Sequence, residues 1–592
     1  MKSNNRTTKV GQVSAILLGL IGGLSSAFSG ERPNILLIQV DDLGYSDLGI
    51  HGNTVIQTPS LDRLGEESMR FDRFYVHPLC APTRASLLSG KHFWRVGVYG
   101  VHAGTDFMNL EETTVAEIMR DAGYRTGMWG KWHSGKTDGY FPWDRGFEEA
   151  FMADLYEYQD NEGRLNGEPV QTDGWTPAVL TDFAIDFMRK DSPKPFFAYV
   201  SYLSPHGPWT APEDYIEPYT SAGFSEHAST LFGMITHLDF QIGRLLEAVD
   251  QSGLRDSTLV LFISDNGPAR NVKGQPVTIE EWEQRVAPLE LRGHKSSPYE
   301  NGIRSPLFIR WGDRLPAVAD SRLLSVEDLL PTFAELAGAE IPYDLDGQSF
   351  AGLLENSETE WPDRTLFFSS SYPRLPKGMS RQQARLEKSE LPADLQLLTV
   401  MSDDFKFLKQ GDSAELFAFP DDIREQNNLA SEQPETAEAL RDMADAWFGE
   451  IISEPGSFTR PLLLVGHEGN VISRIPAYCL AGSRGGLRNA NHTLNNWRNP
   501  GDAALFDLDI QTPGNYTIEV EFAKPVSSPT RMQVQISGQT VELTVFGETP
   551  SKNLTSSEPV QLEMGPASLE IELITPLDNP ASVDLVRIER SL

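Results

Sequence analysis

The chain is poor in cysteine, in positive charge and in long apolar runs. Its 592 residues include two cysteines, Cys80 and Cys479. No framework of disulfides is available, so stability must come from buried cores. The two lie far apart, in what read as different domains. Cys479 reads as a small buried hydrophobe, whereas Cys80 sits among polar and cationic residues. Lys and Arg number 50 against 84 Asp and Glu, a net charge of −34. That balance excludes nonspecific binding to nucleic acid or to anionic lipid. An anionic ligand would have to be met by a local basic pocket on an acidic body. Past the first 24 residues, no apolar run approaches the roughly 20 residues of a membrane-spanning helix.

The first residues read as an export signal. Lys2, Arg6 and Lys9 precede an apolar run from Val13 to Leu24, and small residues follow around Ala27. Residues 1–29 are therefore expected to be a signal peptide, and the mature chain to be periplasmic or secreted. From residue 33 to about 340, short buried-strand patterns alternate with helical ones. Asn34 to Val40 is apolar and stops at Asp41-Asp42, and 258–264 stops at Asp265-Asn266. Thr58-Pro59 and Thr176-Pro177 both read as an N-cap followed by proline at the first helical position. Such alternation predicts a mixed, mostly parallel sheet flanked by helices, with ligands beyond the carboxyl ends of its strands. Residues 361–454 read as a small antiparallel subdomain closed by a helix. From 455 to 592 the pattern has a period of two, as in Phe506, Leu508 and Ile510, and predicts an all-β, jelly-roll-like sandwich. The domains are thus expected at 30–360, 361–454 and 455–592.

The chemistry-bearing residues fall at strand ends. Asp41, Asp42, Asp265 and Asn266 offer hard oxygen donors and no soft ligand, a set suited to a hard divalent cation. Lys131 and His133 follow the strand-like residues 124–129. His206 follows the next strand, and Lys295 lies ahead of the strand around Leu307. Cys80-Ala81-Pro82-Thr83-Arg84 opens a helix, whose N-terminus attracts anions. Together these put two imidazoles and three cations around one helix start. Cleavage of a sulfate ester asks for cations on the equatorial oxygens and a proton donor for the leaving oxygen.

Five blocks in order, Val40 to Tyr45, Cys80 to Gly90, Gly130-Lys131-Trp132-His133, Ser264 to Gly267, and Lys295 with Ile303 to Pro306, resemble the type I sulfatases of the alkaline-phosphatase superfamily. The resemblance spans Pro33 to about Leu354, and more loosely to residue 452. It implies conversion of Cys80 to formylglycine by a formylglycine-generating maturation enzyme. It implies one Ca²⁺ held by Asp41, Asp42, Asp265, Asn266 and the residue-80 side chain. In that family's scheme Arg84 and Lys131 hold the aldehyde hydrate, and His206 and Lys295 bind sulfate and protonate the departing alcohol. His133 takes the proton whose loss expels sulfate. The implied substrate of an exported member is a sulfated carbohydrate, with residues 152–175 and 271–291 as substrate-facing loops. His294 and Asn301 depart from the family pattern, and the closing motif is weak at 414–419. Two other readings stand beside this one. The first is a phosphonate or phosphate ester hydrolase of the same superfamily, whose members tend to carry histidine where this chain has Asn266. The second is a non-catalytic protein that binds sulfated glycans. The terminal sandwich is similar in architecture to carbohydrate-binding modules, with Trp497 or Tyr478 as stacking candidates, and reads equally as a domain that packs on the catalytic unit or supports oligomerisation.

Overall fold

A computed structural model describes residues 32–377, 388–526, 530–544, 551–556 and 558–591; the proposed signal segment 1–29 lies outside them. Its centre is a ten-stranded mixed sheet. In chain order the strands are β1 (Asn34–Val40), β2 (Met69–Tyr75), β3 (Arg125–Gly130), β4 (Glu149–Met152) and β5 (Glu162–Leu165). They continue with β6 (Glu168–Gln171), β7 (Phe196–Ser201), β8 (Thr258–Ser264), β9 (Leu307–Arg310) and β10 (Ala319–Ser325). Across the sheet the order is β10-β2-β9-β8-β1-β7-β3-β4-β5-β6. The central strands β8, β1, β7, β3 and β4 run parallel, while β9 runs antiparallel to both of its neighbours.

Burial on both faces explains why β1 reads as an unbroken apolar run. Ile35 and Leu37 enter one core, and Leu36, Ile38 and Val40 enter the other, following the strand's period of two. The second core is covered by the helices Thr176–Met188 and Glu226–Gln251. Thr176 is itself the first helical residue, with Trp175 as the N-cap, so the proline there lies one position deeper than the sequence pattern implied. Thr58 does cap the Pro59–Glu66 helix by position, but its hydroxyl is turned to Gly49 N and Asp62.

The smaller antiparallel sheet comprises Leu366–Ser369, Leu398–Met401, Phe405–Gln410 and Ser413–Ala418, with the helix Pro434–Ser453 against it. The weak closing motif is thus an ordinary edge strand, with Leu416 and Phe417 buried. Fully buried Lys406 ties this sheet to Glu300 of the large domain, at 2.8 Å. From Leu463 onward the chain forms a predominantly antiparallel β-domain with one dense core. Trp497 and Tyr478 are 1% and 7% exposed and belong to that core. Neither offers a ring for stacking on sugar, because each fills space between strands. Cys80 and Cys479 are both buried, and no disulfide joins them. Among the described residues, no helix is long and apolar enough to cross a membrane.

Candidate active site

The register of the sheet assembles the site. Val40 pairs with Ser264, so Asp41 and Asp265 emerge side by side from the carboxyl ends of β1 and β8. Asp265 N donates to Val40 O at 3.0 Å, and Asp42 N to Asp265 Oδ1 at 3.2 Å. Gly130 ends β3 against Ser201 at the end of β7. A side chain at Gly130 would strike the Ser201 carbonyl oxygen, 1.9 Å from an added Cβ. The glycine therefore allows Lys131 N to donate to that oxygen at 2.9 Å. Because β9 is antiparallel, the loop before it reaches the same edge, and it brings Lys295. The Cys80–Ser89 helix is buried along its whole length and presents Cys80 and Arg84 to this edge.

The catalytic and metal-ligand candidates Asp41, Asp42, Cys80, Arg84, Lys131, His133, His206, Asp265, Asn266 and Lys295 come together here. The ligating atoms of Asp41, Cys80 and Asp265 lie within 4.8 Å of one another, as do those of Asp41, Asp42 and His206. Lys131 Nζ donates to Asp41 Oδ2 at 2.5 Å, and Lys295 Nζ to Asp42 Oδ1 at 2.5 Å. Arg84 grips Asp265 Oδ2 through Nε at 3.1 Å and through a terminal nitrogen at 2.8 Å. Asn266 Nδ2 donates to Asp42 Oδ1 at 2.8 Å. Burial pushes the Asp41 carboxyl up, but Lys131, His206, Lys295 and Arg84 outweigh it and hold it well below the carboxylate range. For Asp265, burial and then the charge of Asp41 push upward. Burial opposes the charge on Lys131 and Lys295, yet Asp41 and Asp42 respectively raise both above an ordinary lysine.

Two oxygens bear on a metal. Asp41 Oδ1 and Asn266 Oδ1 are buried without a hydrogen-bond partner, although buried polar atoms are nearly always paired. With Asp42 and Asp265 beside them, the donor set is all oxygen, apart from the side chain at position 80, and rich in carboxylate. That set fits Ca²⁺.

The histidines are fixed in different tautomers. His133 Nε2 lies 2.9 Å from the Val101 carbonyl. A carbonyl only accepts, so Nε2 carries the proton and the buried, unpartnered Nδ1 keeps its lone pair. Burial, and then the charge of Lys131, push His133 down to about 3. It is a neutral imidazole with a lone pair at Nδ1. His206 donates from Nδ1 to the Gly207 carbonyl at 2.6 Å and turns Nε2 toward Asp42, 3.9 Å away. Burial and then Lys295 push it down as well.

The sequence did not reveal the supporting shell. Ser201 Oγ bonds the Lys131 carbonyl at 2.7 Å and Arg84, and Tyr199 OH accepts from Arg84 at 3.3 Å. Polar groups at alternate positions of an otherwise apolar β7 were the available signal. Asp106 lies 3.7 Å from His133 Nε2. Tyr156 sets its ring 5.5 Å from that of His206. Asn301 is buried and donates to Gly293 O at 3.1 Å, so it braces its loop and does not face a substrate.

With this geometry in view, comparison with known proteins is informative. A family model described as Sulfatase matches residues 33–339, and one described as N-sulphoglucosamine sulphohydrolase, C-terminal, matches 294–447. The chain is 34% identical to human arylsulfatase A over 409 residues, 62% of this chain and 76% of that one. It is 30% identical to human N-acetylgalactosamine-6-sulfatase over 383 residues, 58% of this chain and 70% of that one. Among solved structures, Ps i-CgsB in complex with k-i-k-neocarrahexaose superposes with a TM-score of 0.61 at 26% identity. That match covers 72% of this chain and 95% of the other.

Proposed function

The chain belongs to the sulfatase family and is a sulfuric ester hydrolase, and we propose that it removes sulfate from sulfated carbohydrates with residue 80 matured to formylglycine. The observation that carries this reading is the meeting of Cys80 with the Asp41 and Asp265 carboxylates, atoms within 4.8 Å, on a buried floor ringed by Arg84, Lys131 and Lys295. The carbohydrate is supported by relatives named for N-acetylgalactosamine 6-sulfate and by a similar structure bound to a neocarrahexaose.

Asp41, Asp42, Asp265, Asn266 and the residue-80 side chain would hold Ca²⁺, which when bound supplies fixed positive charge beside a sulfate oxygen. Formylglycine, as its hydrate, supplies an oxygen nucleophile and a second hydroxyl through which sulfate can be expelled. Arg84 and Lys131 orient residue 80 and balance negative charge as it develops. His133 accepts a proton at Nδ1, the atom left free by its bond to Val101. Lys295 binds the sulfate, and His206, after taking up a proton at Nε2 that its Nδ1–H tautomer does not hold at rest, passes that proton to the departing alcohol oxygen. The cationic and apolar residues of 1–29 support a periplasmic or secreted location, and maturation requires a formylglycine-generating enzyme as partner.

Initial rates on nitrophenyl sulfate and on a nitrophenyl phosphonate, measured side by side, test the reaction class. We expect the sulfate ester to be preferred. A preference for phosphonate would replace the sulfatase reading with the phosphonate-hydrolase one, and loss of both activities would leave a glycan-binding protein.

A further inference from the structure

The β-domain does not stand apart from the catalytic centre. Phe107 and Tyr140, from the segments on either side of His133, are buried in the β-domain's own core with Leu463, Val465 and Trp497. Leu462 N donates to Tyr140 OH at 2.8 Å, and Thr137 Oγ1 to the Arg474 carbonyl at 2.6 Å. The hairpin of Arg488–Asn489 and Leu494–Trp497 reaches furthest. Its tip accepts a hydrogen bond at Asn491 O from Ala103 N, at 3.1 Å. The His492 ring stands edge-on to His102 at 4.9 Å between centroids, and His102 lies 6.2 Å from His133. A row of three imidazoles thus runs from the catalytic base to the β-domain.

Residues 154–156 lie beside the same region. Asp154 and Lys136 pair at 3.9 Å, and the charges of both act on His492. Tyr156 is 39% exposed, unusual for a tyrosine beside a buried charge cluster, and holds φ at 73° next to His206. His206 and His133 therefore each have a ring neighbour, Tyr156 for His206 and His102, in contact with His492, for His133.

We propose that His492 and His102, next to His133, and Tyr156, next to His206, form the subsite for the sugar from which sulfate is removed, so that the β-domain contributes to the active site. This rests on the sulfatase reading above and adds to it the origin of carbohydrate recognition. An exposed phenol ring suits the apolar face of a pyranose, and imidazole nitrogens suit its hydroxyls. Lys136, the cation whose charge acts on His492, is paired with Asp154. The imidazoles are uncharged at neutral pH: burial and then His133 and His492 push His102 down to about 3, and burial and then Lys136 lower His492. The expected ligand is a sugar ring that presents hydroxyls at this position.

The test uses the full chain, with the aldehyde at residue 80 verified. kcat/KM is measured on N-acetylgalactosamine 6-sulfate, sulfated neocarrabiose and nitrophenyl sulfate for wild type, His492→Ala and His492→Gln. On whichever sugar sulfate wild type cleaves better, His492→Ala should lose about tenfold more than it loses on nitrophenyl sulfate, and His492→Gln should recover most of that difference. In a Cys80→Ser background, which cannot turn over, the affinity for the same sugar sulfate by calorimetry should fall about tenfold with His492→Ala. Equal losses on sugar and aryl substrates would reduce His492 to a prop for residues 101–106 and overturn the proposal. So would no loss, or a wild type that cleaves only the aryl ester. A matured wild type inactive on every sulfate ester would instead overturn the sulfatase reading itself.

Discussion

Asp42 and His133 hold φ at 70° and 61°, left-handed values that cost a non-glycine residue on the order of 1–3 kcal/mol. Both belong to the candidate site, and the surrounding bonds hold them there. Asp42 is tied by its own N–H to Asp265 and by its carboxylate to Lys295 and Asn266. His133 is tied to Val101. This geometry makes His133 a base with a single free nitrogen. His133→Ala should therefore lower kcat by about 10²–10⁴ with little change in KM, as removal of a positioned proton acceptor does. Steady-state kinetics on nitrophenyl sulfate check it; a raised KM with kcat intact would make His133 a binding group. At this scale the sequence was legible where function lay at strand ends, since a polar pair closing an apolar run stands out. Asp41-Asp42 and Asp265-Asn266 did so. His102, Asp106 and Ser201 did not, because each matters only through a neighbour brought near by tertiary folding.

Among the elements, the buried strands were readable because burial on both faces leaves continuous apolar runs, as in β1 and β8. The direction of β9 was not, since side-chain pattern is blind to strand polarity, yet that direction is what carries Lys295 to the site. The edge strand Ser413–Ala418 was obscured by its half-exposed face. The long helix Glu226–Gln251 carries a buried histidine, His237, with Trp175 and Tyr215 around it. Burial pushes it from 6.5 down to about 4. Folded chain then binds fewer protons there than unfolded chain between those values. Its contribution is complete above about pH 6.5 and is lost as pH falls toward 4, amounting to at most about 3 kcal/mol. Asp144 and Asp239, both raised to about 6 by burial, act in the opposite sense, so the difference between two proteins is the clean measure. The Tm of His237→Phe relative to wild type should rise as pH is lowered from 7 to about 4. Parallel Tm curves would show that the histidine is not buried as a neutral ring.

For the whole molecule, a net charge of −34 surrounds a pocket in which Arg84, Lys131 and Lys295 are gathered on three different segments. The acidic surface disfavours loose association with polyanions, whereas the enclosed Arg84, Lys131 and Lys295 cluster favours an anion locally. Composition revealed this contrast, and periodicity revealed a separate β region after residue 455. Neither revealed that the β region packs onto both segments flanking His133, because Phe107 and Tyr140 look like ordinary core residues of the domain that precedes them. The account rests on residue 80 being an aldehyde where the sequence encodes a thiol. Mass spectrometry of the peptide bearing residue 80, from chain made alongside a formylglycine-generating enzyme and shown to hydrolyse nitrophenyl sulfate, tests this most directly. The account predicts an aldehyde at that position, captured by a hydrazide probe. An unmodified thiol throughout a preparation that turns over would contradict it.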